Sequence, residues 1–271
     1  MSISYSCRWA GCVLTVLWLL FMLRFTPLAA AEPTPWKTLT PGMDYRVLNR
    51  SYPGFLYPRL IKLHLFRIRQ GQFQVRVHSF HALPEQQSQS LLQLRQQQQA
   101  LLALSGGFYQ EVGFRKPVGL VIVEKNTLFR LTQSFSGVIW IEDNCLHLST
   151  TEAFLELDPQ PDYAIQGYPR LVDPTNQLGI RNTSNDLAHR AALCAQPGYF
   201  IALITDKHFF GLSLYELAKI AQAPEAEDGL GCDLAINLDG GPAPGISIDP
   251  QLLNLHIAEG WQLPNAMTIR R

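Results

Sequence analysis

The sequence predicts an α+β fold, one domain of mixed β-sheet with many hairpins and a few packed helices. Three observations lead there. Short apolar runs rich in Val, Ile, Leu and Phe recur along the chain, separated by turns of Gly, Asn, Asp and Pro. Only two or three segments carry helical signals. The chain of 271 residues has no internal repeat and no linker long enough to divide it, which suits a single large domain.

The N-terminus stands apart. Arg8 precedes an apolar run from Trp9 to Leu23, and Pro27-Leu28-Ala29-Ala30-Ala31 follows. A charged head, an apolar stretch and an Ala-x-Ala site are the parts of a secretory signal, with the cut expected between Ala31 and Glu32. At about fifteen residues the run falls short of the roughly twenty that span a bilayer. An uncleaved anchor is the competing reading, because Arg24 and Phe25 interrupt the pattern. The expectation is a signal over 1–31 and a domain over 32–271, exported to the periplasm or beyond, with no stable membrane span after cleavage. Cleavage leaves Cys145, Cys194 and Cys232. An odd count allows at most one intrachain disulfide. Cys194 and Cys232 each border an expected core strand and form the candidate pair; three buried thiols are the alternative.

In chain order, 32–58 is rich in Pro, Gly and aromatic residues and reads as an irregular lead-in. The runs 59–69 and 73–80 flank Gln70-Gly71-Gln72 as a hairpin. A Gln-rich stretch over 84–99 carries Leu91, Leu92 and Leu94 and reads as a partly exposed helix. Ala100 to Leu104 is a short strand. Two further hairpins are expected, one from 118–123 and 128–131, the other from 137–141 and 145–148. Core strands follow at 163–166, 190–195 and 199–205. Ser213-Leu214-Tyr215-Glu216 is a capping box that opens a helix. Leu234, Ile236 and Leu238 alternate along a buried strand, and 246–248 and 267–270 close the fold.

Composition excludes several functions. The chain is 47% hydrophobic and 16% charged, with a formal net charge of zero. No run of Lys or Arg exceeds two, which argues against nucleic acid or an anionic membrane as partner. There is no G-x-S-x-G, Walker or H-E-x-x-H motif, and no Cys pair at zinc spacing. His78 and His81 lie three apart on or beside a strand, which sends them to opposite faces. Neither a metal nor a cofactor is expected.

What remains is a set of strand ends. Ser105-Gly106-Gly107-Phe108-Tyr109 and Asn237-Leu238-Asp239-Gly240-Gly241 each empty a buried strand into paired glycines, and Gln166-Gly167 and Arg190 stand at other strand ends. A strand that ends in a carboxylate and two residues without side chains delivers an acid to a crevice where backbone can approach a ligand. Each element also has a plainer reading. Asp-Gly is common turn chemistry, Gln166 can satisfy backbone, Tyr109 can pack beneath its turn, and Arg190 can be a structural partner of Asp239.

In order and spacing these blocks resemble the phosphodiester glycosidase domain family. The family's N-G-G-F-[FY] is matched by Ser105 to Tyr109, its P-x-G-L by Pro117 to Leu120, and its Q-S-G-P-x-L-V by Gln166 to Val172. Its R-T-A strand is matched by Arg190-Ala191-Ala192 and its G-L-[ST]-L-x-E-L-A helix by Gly211 to Ala218. Its D-A-x-N-L-D-G-G segment is matched by Asp233 to Gly241. The likeness is strongest over 100–249. Departures fall at Ser105, where the family has Asn, at Ala191, where it has Thr, and at Pro242-Ala243-Pro244, which replaces G-S-S.

The resemblance implies hydrolysis of a sugar-1-phosphodiester to the sugar and a phosphomonoester. Asp239 would act at the anomeric carbon and Arg190 at the phosphate. Ser105, Gly106, Gly107, Tyr109, Gln166, Gly167, Asn237, Gly240 and Gly241 would bind substrate, the glycine amides by holding phosphate or sugar oxygens. A second carboxylate is not identified, Glu111, Asp173 and Asp186 being the candidates. The expected partner is a phosphorylated sugar or glycan. The alternative is a binding protein that holds an envelope glycan without turning it over.

Overall fold

The computed structural model describes residues 34–81, 89–110, 116–180 and 186–271. The expected signal and Glu111 fall outside these residues. Three antiparallel sheets share one core. The largest has seven strands in the order β1 (Lys37–Thr40), β2 (Met43–Tyr52), β3 (Arg59–Arg69), β13 (Tyr199–Thr205), β12 (Ala191–Gln196), β14 (Leu234–Asn237) and β11 (Arg170–Val172). A five-stranded sheet runs β7 (Asn126–Phe129), β6 (Val121–Val123), β10 (Tyr163–Gly167), β8 (Gly137–Glu142), β9 (Cys145–Thr150). A second sheet of five runs β16 (His256–Ile257), β15 (Ile246–Ile248), β5 (Leu102–Ser105), β17 (Asn265–Arg270), β4 (Gln74–Ser79).

Alternation along the seven-stranded sheet explains why it is covered on both sides. Ala191, Leu193, Ile204 and Ile236 face one way, into a core shared with Ile139 and Ile165 of one small sheet and Leu102, Leu104 and Met267 of the other. Ala192, Cys194, Leu203 and Ala235 face the opposite way and pack on Leu217, Ala218 and Ala221. Those three belong to a helix over Leu214–Gln222, capped by the Ser213 and Glu216 box as expected. Two seven-residue helices, each about two turns, cover the small sheets. Leu91–Gln97, α1, sets Leu91 and Leu94 against Ala103 and Ala266. Thr151–Leu157, α2, sets Phe154 against Trp140 and Ala164. The Leu214–Gln222 helix is α3.

Three expectations change. The lead-in is not irregular: Met43, Arg46 and Leu48 are buried along a ten-residue strand that pairs with β3 over its whole length. Here the Pro and aromatic residues hid a strand whose apolar positions lie far apart. The runs at 59–69 and 73–80 do not form a hairpin. β3 pairs with β2 and β13, whereas β4 pairs with β17 in another sheet. Turning away at Gly71 lets Phe73, Val75 and Val77 enter the shared core. The helix α2 carried no signal that separated it from its neighbouring strand. Cys194 and Cys232 form a disulfide, with Cα atoms 5.5 Å apart, and Cys145 is free. This bond staples β12 to the entry of β14, the two strands that lead to Arg190 and Asp239.

Candidate active site

β14 carries the chain to Asp239. It lies between β12 and β11, with Asn237 opposite Ala192, and Leu238 N–H continues the ladder by donating to Ala191 O at 2.9 Å. Asp239 N–H then reaches Gly106 O at 3.3 Å, across to the end of β5. Gly241 N–H donates to His189 O at 2.9 Å, beside the start of β12. Two of the strand ends singled out in the sequence, those at Gly106 and Arg190, therefore meet at Asp239. Gln166 and Gly167 reach the same place through Tyr168, whose N–H donates to Asn237 O at 3.1 Å.

The carboxyl of Asp239 is set apart from the polar groups around it. Oδ1 accepts from Gly240 N–H at 2.9 Å, while Oδ2 is buried with no hydrogen-bond partner. Burial pushes its pKa up to about 7, only partly offset by the Gly240 N–H. A second orphan lies two residues back on the same strand. Asn237 Nδ2 donates to Tyr168 O at 2.8 Å, but its Oδ1 is buried and unpaired. An unpaired buried acceptor costs about 1–3 kcal/mol, and two of them stand two residues apart where β14 ends.

Arg190 is buried and held by the chain on two sides. Its Nε donates to Leu212 O at 3.1 Å and its Nη2 to Asp186 O at 2.8 Å, while its own N–H donates to Thr205 Oγ1 at 2.8 Å. A Cβ placed on Gly240 would stand 3.1 Å from Arg190 Nη1, so the guanidinium passes directly beneath the glycine turn. Burial draws its pKa below the ordinary guanidinium value, and the Asp186 carboxylate opposes that; the group stays cationic at neutral pH. No ion pair within 4.0 Å joins Arg190 to Asp239. The reading of the two as a structural pair does not hold.

The expected binding residues fare differently. Gly106 N–H donates to Asn265 O at 3.2 Å and Gly107 N–H to Asn265 Oδ1 at 2.6 Å. With the Gly240 and Gly241 amides also committed, all four glycine N–H groups are taken by the chain itself, and none is left to hold a phosphate. Nor does the missing side chain open space at most of these positions. A Cβ on Gly106 would run into Asn265 Oδ1, one on Gly107 would stand 3.0 Å from Gln166 O, and one on Gly167 2.7 Å from Asn237 O. Only Gly241, at φ +66°, has nothing within 4 Å of that position.

Gln166 is likewise framework. Its Oε1 accepts from Leu120 N–H and Thr132 N–H, both at 2.8 Å, and its Nε2 donates to Thr132 O at 2.9 Å. The plainer reading of Gln166 as a group that satisfies backbone is the one the geometry supports. Ser105 is fully buried and its Oγ accepts from Gly245 N–H at 3.1 Å. Tyr109 sits in a short bridge to Pro117. Of the candidate second carboxylates, Asp173 is paired with Arg170 at 2.7 Å, and Asp186 offers its backbone oxygen to Arg190. His78 bonds Thr268 Oγ1 at 2.8 Å and His81 packs edge-on to Phe129, and no metal-holding cluster of His, Cys, Asp or Glu occurs among the described residues.

Sequence reasoning missed Asn265, which supplies the amide beneath Gly106 and Gly107 from the far end of the chain. Its only sequence signal is a polar residue at the start of the closing strand. It also missed the ring of Phe135, which stacks on Tyr168 at 5.7 Å and meets Phe108 edge-on at 5.3 Å. Lys207 was missed too: its Nζ donates to Pro242 O at 2.9 Å and Ala258 O at 2.7 Å, tying down the loop that follows Gly241.

The family model for the phosphodiester glycosidase domain matches residues 98–270. Among solved structures, the catalytic domain of zebrafish N-acetylglucosamine-1-phosphodiester alpha-N-acetylglucosaminidase, auto-inhibited by its pro-peptide, is similar with a TM-score of 0.65 and 14% identity, over 89% of this chain and 87% of that one. A hypothetical protein from Synechocystis is similar with a TM-score of 0.55 and 15% identity, over 89% of this chain and 64% of that one. A Burkholderia pseudomallei protein described as exported has a TM-score of 0.54 and 10% identity, over 79% and 75%. No curated protein sequence matches significantly. At these identities the structural likeness speaks for the fold.

Proposed function

Because the chain belongs to the phosphodiester glycosidase family, we propose that it hydrolyses a sugar-1-phosphodiester outside the cytoplasm, after loss of its N-terminal signal. The observation that carries the reading is Asp239, a carboxyl with one buried unpartnered oxygen and a pKa pushed up to about 7, next to a turn that closes over a buried cation. Water adds at the anomeric carbon as the bond from that carbon to the phosphate oxygen breaks. The sugar leaves with the hydroxyl, and the phosphate departs as a monoester of the aglycone.

Phosphate is an acidic leaving group, so no strong general acid is required. Positive charge builds at the anomeric centre and negative charge on the departing phosphate. A desolvated carboxylate is destabilised while it faces nothing cationic, and its environment improves as the oxocarbenium-like centre forms. Asp239 therefore acts as the anion, whether as base or as electrostatic stabiliser. With the glycine amides committed, the phosphate falls to Arg190 Nη1, a positioned donor of the kind that stabilises developing charge. No helix among the described residues is long and apolar enough to cross a membrane.

A second reading, a glycan-binding protein without turnover, is favoured by those same committed amides, which leave fewer donors for phosphate than the sequence suggested. One experiment separates the two. Purified exported protein is incubated with N-acetylglucosamine-1-phosphodiesters and both products are followed. Equal release of sugar and phosphomonoester supports hydrolysis, and binding without release supports the second reading. Intact mass of the same preparation tests export: a species still carrying Met1 to Ala31 contradicts signal removal.

A further inference from the structure

Resting on that reading of the site, we propose that Tyr168 is the platform on which the sugar ring lies, and that Asn237 Oδ1 reads a hydroxyl or amide N–H on its edge. Tyr168 is 47% exposed, although its backbone is tied into the framework. Its N–H donates to Asn237 O at 3.1 Å, its O accepts from Asn237 Nδ2 at 2.8 Å, and Pro169 O accepts from Asn237 N–H at 3.0 Å. Three bonds thus tie the backbone of Tyr168 and Pro169, from which the exposed ring projects, to the residue two before Asp239, a separation of roughly 6–7 Å along extended chain. The ring is braced from one side. Phe135 stacks on it with planes 21° apart, and Phe108 supports Phe135 edge-on.

The chemistry of what would fit follows from these groups together. An open aromatic face favours a flat apolar surface. Two buried unpaired acceptors, Asn237 Oδ1 and Asp239 Oδ2, require donors. A bare phosphate brings negative charge and no donors, and a plain aromatic ligand brings no donors either. A pyranose brings both parts, an apolar C–H face and an edge of hydroxyl or acetamido groups. Because the acceptors are buried, a sugar that lacks the matching donor leaves them unsatisfied and is rejected. Tyr168 and Asn237 are in this sense specificity determinants, distinct from Asp239 and Arg190.

The test measures binding of neutral methyl pyranosides (of glucose, galactose, mannose and N-acetylglucosamine) and, separately, of inorganic phosphate. The proteins are the unaltered chain, Tyr168→Phe and Tyr168→Ala, with Tyr168→Leu in place of the alanine variant should that one not fold. The expectation is that at least one pyranoside binds, that Tyr168→Phe holds it within twofold, and that loss of the ring weakens it about three- to tenfold. Phosphate affinity stays unchanged in all three. Unaltered pyranoside affinity without the ring, or no pyranoside binding by the unaltered protein, overturns the proposal. Turnover assays keep the two readings apart. Ring-dependent sugar binding without phosphodiester hydrolysis leaves the platform standing and removes the reaction. Hydrolysis with an unchanged KM in Tyr168→Ala does the reverse.

Discussion

Two glycine pairs stand at the ends of two buried strands, Gly106-Gly107 after β5 and Gly240-Gly241 after β14, and they do opposite work. The first pair is filled. Asn265 lies where a side chain on Gly106 would go and takes the Gly107 amide, so the turn is small because another part of the chain needs the space. The second pair is a cover. Gly240 lies over the Arg190 guanidinium, and Gly241 turns in the left-handed region towards open space. The lesson is that a strand ending in two glycines announces close approach without saying by what. At β5 it is the protein that approaches. At β14 the room, the orphan acceptors and the buried cation belong together.

That contrast is open to attack, beginning with the largest effect. Asp239→Asn is nearly isosteric and should lower sugar release about a hundredfold or more; release within a few-fold of the unaltered protein removes Asp239 from the reaction. Arg190→Ala should cost a similar factor on phosphodiesters and much less on an activated aryl glycoside without phosphate. It should also lower stability by about 1–3 kcal/mol, because Asp186 O loses the Arg190 donor while Leu212 O keeps only the Ala188 N–H. Equal loss on both substrates would point to framework alone.

The glycines themselves give the next comparison. Gly106→Ala drives a methyl into Asn265 and should cost about 1–3 kcal/mol. Gly241→Ala meets no atom and bears only the left-handed backbone, about 1 kcal/mol. Asn265→Ala removes the obstacle, so Gly106→Ala should cost less in that background than alone. Denaturant midpoints for the four variants decide it, and equal costs for Gly106 and Gly241 would erase the distinction.

The sequence carried the elements more faithfully than their partners. The strands leading to Arg190, Gln166 and Asp239 were legible from short apolar runs, and α3 from its Ser213 and Glu216 box. Sheet membership was not. Nothing in the turn at Gln70-Gly71-Gln72 distinguishes a hairpin from a crossing to another sheet, because that choice is made by Phe73, Val75 and Val77 seeking a core formed by residues far along the chain. Site residues followed the same rule. Asp239 and Arg190 stood out because a charge at the end of a buried apolar strand is costly without a reason, and both are desolvated in the structure. Gln166 looked like a ligand group because its four hydrogen-bonding positions are filled by loop and helix residues whose proximity no local pattern records. Asn265 was invisible for the converse reason, being a single polar residue whose partner lies 158 positions away.

Stability against pH gives a further comparison, in which two carboxylates diverge. At Asp206 burial raises the pKa, but hydrogen bonds from the His208 N–H and ring and from His64 outweigh it and hold the group at about 2. Its contribution is present above the ordinary value and lost as pH falls from about 4 towards 2. Asp239 is shifted the other way, to about 7 from 3.8. The unfolded chain releases that proton near pH 4 and the folded chain keeps it to about 7, so its contribution is full below pH 4 and lost as pH rises to about 7. Asp239→Asn should therefore melt higher than the unaltered protein above pH 7, with the difference closing towards pH 4. A variant that melts lower at every pH contradicts a desolvated carboxyl.

The most direct measurement is the pH dependence of kcat/KM for sugar release from a sugar-1-phosphodiester. If Asp239 acts as a buried anion opposite the anomeric centre, kcat/KM rises as pH passes through about 7. The inflection then disappears from the residual activity of Asp239→Asn. A profile that is flat across neutral pH, or an inflection near 7 that survives Asp239→Asn, would place the reacting group elsewhere.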